Sequence, residues 1–81
     1  MNITIYTKSN CPNCVSAKQL MQDKGMKYNE ISLDNDAHRA EFCADNPGVR
    51  QMPQIYINGD RIGGYAGLRE WIKWFETRSR T

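Results

Sequence analysis

Two cysteines stand two residues apart in Cys11-Pro12-Asn13-Cys14, where a short β-rich run gives way to a helical pattern. Sulfurs at this spacing can hold a metal, lock a fold, carry a haem or pass electrons. Haem attachment needs a histidine directly after the second cysteine, and Val15 stands there instead. Zinc needs two further ligands, and the chain offers His38 and Cys43. On one helix those two sit at i and i+5, about 140° apart around the axis, so they serve a single ion poorly. A purely structural disulfide would close too small a loop to constrain the unfolded chain much. Thiol–disulfide exchange suits the pair best.

Pro12 fits the first position of a helix, which puts Cys11 at the N-cap. Its sulfur then takes the place where Ser or Asp normally accepts from the second and third backbone N–H groups, here those of Asn13 and Cys14. A thiolate satisfies those donors better than a thiol, and the positive end of the helix dipole acts in the same sense. Lys8 adds a cationic neighbour. All three lower the Cys11 pKa from the free value of about 8.5. Cys14, one turn on, faces inward. The pattern thus predicts an exposed nucleophile and a buried resolving thiol. Cys43 reads as a small buried hydrophobe, and His38 as a solvated helix residue. Trp71 and Phe75 read as core, with Trp74 on the flank and partly covered. Arg78 and Arg80 suit the end of a helix.

Those side chains need a frame to hold them. "NITIY" (2–6) reads as a strand, and 12–24 as a helix stopped by Gly25. On that helix Cys14, Ala17, Leu20 and Met21 share one face, with Lys18 and Gln22 off it. "KYNEISL" (27–33) reads as a second strand and 34–46 as a second helix, ending before Pro47-Gly48. Strand, helix, strand favours a parallel pair. "QIYI" and "DRIG" flank Asn58-Gly59, a strong hairpin signal. Gly63-Gly64 turns the chain into a last helix with Leu68, Trp71, Ile72 and Phe75 at i, i+3, i+4 and i+7. Residues 1–81 make one domain with one modest core. With 40% hydrophobic and 25% charged residues, disorder is not expected. A net charge of +2 gives no reason to expect nucleic acid or a membrane surface as partner. No run approaches the roughly 18 apolar residues of a membrane span. Three cysteines, an odd number, do not suggest a secreted disulfide framework. The reading is a cytoplasmic, monomeric protein.

In order and spacing, "TKSNCPNC", "MPQIYING" and "RIGGYAGL" resemble the three signature segments of glutaredoxins. The resemblance runs from about Met1 to Phe75. It implies an α/β, thioredoxin-like fold of order β-α-β-α-β-β-α, with a four-stranded mixed sheet (2-1-3-4) and three helices. It implies Cys11 as nucleophile, Cys14 as resolver and a cis bond before Pro53. Glutathione would be a co-substrate, with no bound cofactor and no metal. Its cysteine backbone would pair with Met52, and its glycine carboxylate would meet Lys8 and Gln51. Its γ-glutamyl end would dock along Gly64, Tyr65, Ala66 and Gly67. Pro12 and Asn13 would help to stabilise the thiolate, although Asn13 replaces the family's usual aromatic residue. Met52 replaces a valine. Gly67 stands where the family commonly has Asp, so the ammonium of glutathione loses its counter-ion. On that basis Gly67→Asp is expected to lower KM for glutathionylated substrate several-fold. Some redoxins that serve ribonucleotide reductase also lack this Asp and are reduced by thioredoxin reductase, which makes both proteins alternative partners. An iron–sulfur module using Cys11 is a further alternative. Cys14 opposes it, because the family's cluster-binding members mostly have Ser there.

Overall fold

The computed structural model describes residues 1–49 and 51–79, so Arg80 lies outside the described residues. The chain runs β1 (Ile3–Thr7), α1 (Pro12–Asp23), β2 (Asn29–Ser32), α2 (Asp36–Asp45), β3 (Gln54–Ile57), β4 (Asp60–Gly63) and α3 (Tyr65–Ser79). The four strands form one sheet in the order β2-β1-β3-β4. β1 runs parallel to β2 and antiparallel to β3, and β3 runs antiparallel to β4. This is the thioredoxin-like α/β arrangement expected.

Alternation along β1 sorts the two faces of the sheet. Ile3, Ile5 and Thr7 are buried on one side, while Thr4 and Tyr6 point to the other. The first face joins Ile55 and Ile57 to Ala17 and Met21 of α1 and to Leu68 and Ile72 of α3. Ile5, Met21, Ile55 and Leu68 are fully buried, each contributing about 1.5–3 kcal/mol relative to exposure. The opposite face is thinly covered. Phe42 is the one buried residue of α2, resting 4.8 Å from the Tyr6 ring, centroid to centroid.

The elements are trimmed relative to the sequence reading. β2 shortens to Asn29–Ser32 because β1 offers partners only from Thr4 to Thr7. α2 begins at Asp36 rather than 34, because Leu33 N–H donates to the Thr7 carbonyl at 2.8 Å and Asn35 caps the helix through His38 N–H. In the β3–β4 hairpin, Asn58 (φ 53°) and Gly59 (φ 89°) adopt the left-handed turn their types favour. Ile55 faces Gly63 and Tyr56 faces Arg61, which leaves Ile62 as a bulge.

Two expected core residues are corrected. Phe75 is 42% exposed and stacks on Trp71, with ring centroids 5.0 Å apart. A helix of 15 residues is about 22 Å long, whereas strands of four or five residues span about 13–17 Å. The apolar stripe therefore outruns the sheet it covers. Cys43 is an exposed free thiol, not a buried hydrophobe. It adjoins Phe42 on a helix with one inward anchor, and a step of 100° carries it off that contact.

Candidate active site

Asn10 takes a left-handed conformation (φ 55°) that turns the chain from β1 into α1, a backbone state Asn tolerates better than most residues. Cys11 follows as the N-cap of α1, with Pro12 at the helix start. Its sulfur accepts from Cys14 N–H at 3.1 Å, while the second donor expected, Asn13 N–H, makes no such contact among the described hydrogen bonds. Cys11 and Cys14 are joined in a disulfide with their Cα atoms 5.2 Å apart, inside the roughly 4.4–6.8 Å that a bridge allows. The two sulfurs differ less in exposure than expected. Cys14 is 2% exposed, and Cys11 only 8%, so an open nucleophile is replaced by one that shows a single edge. Pro12 and Asn13 are exposed beside it.

The Met52–Pro53 peptide bond is cis, and the Met52 carbonyl oxygen lies 3.5 Å from Cys11 Sγ. A carbonyl opposes negative charge on that sulfur. The Cys14 N–H is nearer, at 3.1 Å, and has the positive end of the helix dipole behind it.

Gly64 brings α3 to the same place. A Cβ there would stand 3.4 Å from the Pro53 carbonyl oxygen, and the Gly64 carbonyl accepts from Leu68 N–H at 3.0 Å. Tyr65, Ala66 and Gly67 form the first turn, which contains no acidic residue. Arg69 lies over the Tyr65 ring at 5.8 Å. Gly67 is packed backbone to backbone: a Cβ on it would run into the Ile62 carbonyl oxygen. This removes the expected benefit of Gly67→Asp, because the side chain has no room where that benefit was to arise.

A groove of about 380 Å³ brings together Lys8, Asp34, Arg39, Phe42, Cys43 and Met52, Met52 being the residue whose carbonyl oxygen lies beside Cys11 Sγ. Asp34 also ties down the active-site loop by accepting from Ser9 N–H at 3.2 Å, and Arg39 pairs with Asp36 at 2.6 Å. Asp34 and Arg39 carried no signal in the sequence, because only the folding of α2 toward the β1–α1 loop places them beside Lys8. Gln51 is exposed, and its described contact is through its carbonyl, which accepts from Gln54 Nε2 at 2.8 Å. His38 lies 3.3 Å from the Ser32 carbonyl through Nδ1. Among the described residues, no three His, Cys, Asp or Glu side chains gather as a metal site, and no helix is long and apolar enough to cross a membrane.

Behind the site, Glu30 accepts from Lys18 Nζ at 3.0 Å and from the Thr7 hydroxyl at 2.8 Å. The Lys18 bond, then the Thr7 bond, holds its carboxyl below the usual range. This joins α1 to β2 across β1. The pair is partly exposed, so it adds only about 0–1 kcal/mol.

A dithiol at a helix N-terminus, beside a cis-proline loop on a 2-1-3-4 sheet, defines a thioredoxin-like thiol–disulfide oxidoreductase. Residues 3–62 match the family model Glutaredoxin. Glutaredoxin 3 of Escherichia coli K12 is 40% identical over 63 residues, covering 78% of this chain and 76% of that protein. The chain belongs to the glutaredoxin family. It is also 41% identical over 71 residues to hybrid peroxiredoxin hyPrx5 of Haemophilus influenzae, covering 88% of this chain but spanning only 29% of that protein. Among solved structures it resembles glutaredoxin 1 of Francisella tularensis complexed with cacodylate (TM-score 0.77, 29% identity, 94% of this chain and 96% of that one). A buckwheat glutaredoxin–glutathione complex follows (TM-score 0.72, 29% identity, 88% and 67%). The glutaredoxin-like NrdH-redoxin of Escherichia coli, described as having a thioredoxin-like activity profile, is also similar (TM-score 0.70, 28% identity, 86% and 93%).

Proposed function

We propose that this chain is a dithiol reductase of glutathione mixed disulfides and protein disulfides, with glutathione as its co-substrate in the cytoplasm. The observation that carries this reading is Cys11 at the N-cap of α1, within disulfide reach of a buried Cys14. The Cys11 thiolate attacks one sulfur of the substrate disulfide, and the other sulfur leaves as a thiolate that takes up a proton. For a protein disulfide, Cys14 loses its proton and attacks Cys11 Sγ. That forms the Cys11–Cys14 bond and expels the second substrate thiol. Two glutathione molecules restore the dithiol and become glutathione disulfide.

Lys8 and the Met52 backbone would hold the glutathione moiety along the groove, with Arg39 joining Lys8 in place of the expected Gln51. Gly64 to Gly67 would meet its γ-glutamyl carboxylate through the free N–H groups of α3. The glutathione-bound buckwheat relative supports this reading.

A second reading rests on α3. Its first turn offers no carboxylate for the ammonium of glutathione, and the NrdH-redoxin is a structural relative. On this reading thioredoxin reductase supplies the electrons, and ribonucleotide reductase is a candidate acceptor. A coupled assay separates the two. Glutathione with glutathione reductase is expected to sustain turnover on a glutathione mixed disulfide, and thioredoxin reductase is not. Turnover with thioredoxin reductase alone would reject the first reading.

A further inference from the structure

We propose that Gln54 is a positioning residue for the substrate: its buried amide holds the turn at 51–53, so that the Met52 backbone stands in fixed register with Cys11 Sγ. The inference rests on the reading of Met52 as the backbone partner of the glutathione moiety.

Alternation along β3 turns Ile55 and Ile57 into the main core and sends Gln54 and Tyr56 to the other face of the sheet. Gln54 lies opposite Tyr6 there. It is 7% exposed, and Thr7 and Gln54 are the two buried polar side chains among the described residues. The Thr7 hydroxyl is engaged by Glu30. Gln54 is engaged by half. Its Nε2 donates to the Gln51 carbonyl at 2.8 Å, and because a carbonyl can only accept, the amide nitrogen must face it and Oε1 must turn away. Oε1 is sealed from solvent and meets no donor among the described residues. A buried acceptor left unpaired costs stability, whereas an apolar side chain of the same shape would fill the site without that cost. Packing alone therefore does not account for an amide at this position. The bond to Gln51 does.

That bond closes over Met52 and Pro53. Pro53 has no N–H to tie the turn from within, and among the described backbone hydrogen bonds of turns and loops none ends on residues 51–53. One end of the segment is seated by packing, since a Cβ on Gly64 would stand 3.4 Å from the Pro53 carbonyl oxygen. The other end is held by Gln54. Between them the Met52 carbonyl oxygen lies 3.5 Å from Cys11 Sγ. The Met52 backbone is thus a preformed edge for the substrate. Without the tether its ordering falls to the binding step, which weakens binding and leaves the reaction at the sulfur as it was.

Two variants of the full chain test this. Gln54→Met matches the side chain in length and removes both polar atoms, while Gln54→Asn keeps an amide too short to reach the Gln51 carbonyl. Gln54→Met should keep or raise Tm, because it removes an unpaired buried oxygen. In both variants the order parameter of the Met52 amide, from nitrogen-15 relaxation, should fall from the rigid value of about 0.85 to below about 0.6. On a glutathione mixed disulfide of a small thiol, KM should rise about three- to tenfold, the cost of ordering a loose segment, with kcat unchanged. A Met52 amide that stays rigid in both variants would overturn the role of Gln54. A lower Tm with KM unmoved in both would mark Gln54 as structural only and overturn it too. A loosened Met52 with KM unmoved would show instead that substrate does not rest on Met52, and the inference would fall with that reading.

Discussion

Cys14→Ser is expected to keep turnover on glutathione mixed disulfides while losing protein-disulfide reduction by about 100-fold or more, the scale on which an intramolecular attack outruns a bimolecular one. Mixed disulfides with glutathione need only the Cys11 sulfur, because a second glutathione can release the first. Stable protein disulfides need a thiol already held beside the mixed disulfide. In the proposed mechanism Cys14 is that thiol, its Cα standing 5.2 Å from that of Cys11. Since Cys14 is buried, Cys14→Ala carries the same expectation without introducing a new buried hydroxyl. Steady-state assays on the two substrate types read the split. Equal loss on both would refute separate roles for the two sulfurs.

Gly67→Asp is expected to destabilise the fold by about 1–3 kcal/mol, the usual cost of forcing atoms into a packed site. Its Cβ would meet the Ile62 carbonyl oxygen and come 3.1 Å from the carbonyl carbon. These are backbone atoms, so no side-chain rotation relieves the contact. A carboxylate near the start of α3 returns only about 0.3–1 kcal/mol, so the steric term wins. For a domain of this size, a loss of 1 kcal/mol lowers Tm by roughly 4–8 °C. Gly67→Ala should show most of the same drop, because the Cβ is its cause, and KM for a glutathionylated substrate should not fall in either variant. An unchanged Tm with a several-fold lower KM would show that the turn opens freely and that γ-glutamyl recognition is waiting for its acid.

The two variants mark how far the sequence could be read. The Cys-Pro-Asn-Cys run placed the N-cap and the disulfide, because local chain geometry decides both. Asn58-Gly59 placed the hairpin for the same reason, and the Leu68 and Ile72 spacing gave the buried face of α3. The Gly67 contact was not legible, because it depends on the bulge at Ile62, and register irregularities have no local signature. Cys43 and Phe75 read as buried because their types usually are, yet α2 rests on Phe42 alone and α3 extends past the sheet. The groove uniting Lys8, Asp34 and Arg39 with Met52 draws on three separate loops and one helix face. No spacing within a single segment encodes it. The left-handed turn at Asn10, which aims Cys11 at the helix start, was equally silent.

The central claim is that capping α1 makes Cys11 the reactive sulfur. Its most direct test is the rate of alkylation of the fully reduced protein against pH, resolved by peptide mapping. Cys43 is the internal control, being exposed and away from any helix N-terminus. Cys11 should alkylate well below pH 7, although it is the more buried of the two, because its thiolate forms below the ordinary thiol value of about 8.5. Cys43 should label more slowly than Cys11 throughout that range, and Cys14 should label last. If Cys43 instead labels as fast as Cys11 below pH 7, or leads throughout, the cap does not activate Cys11 and the account fails.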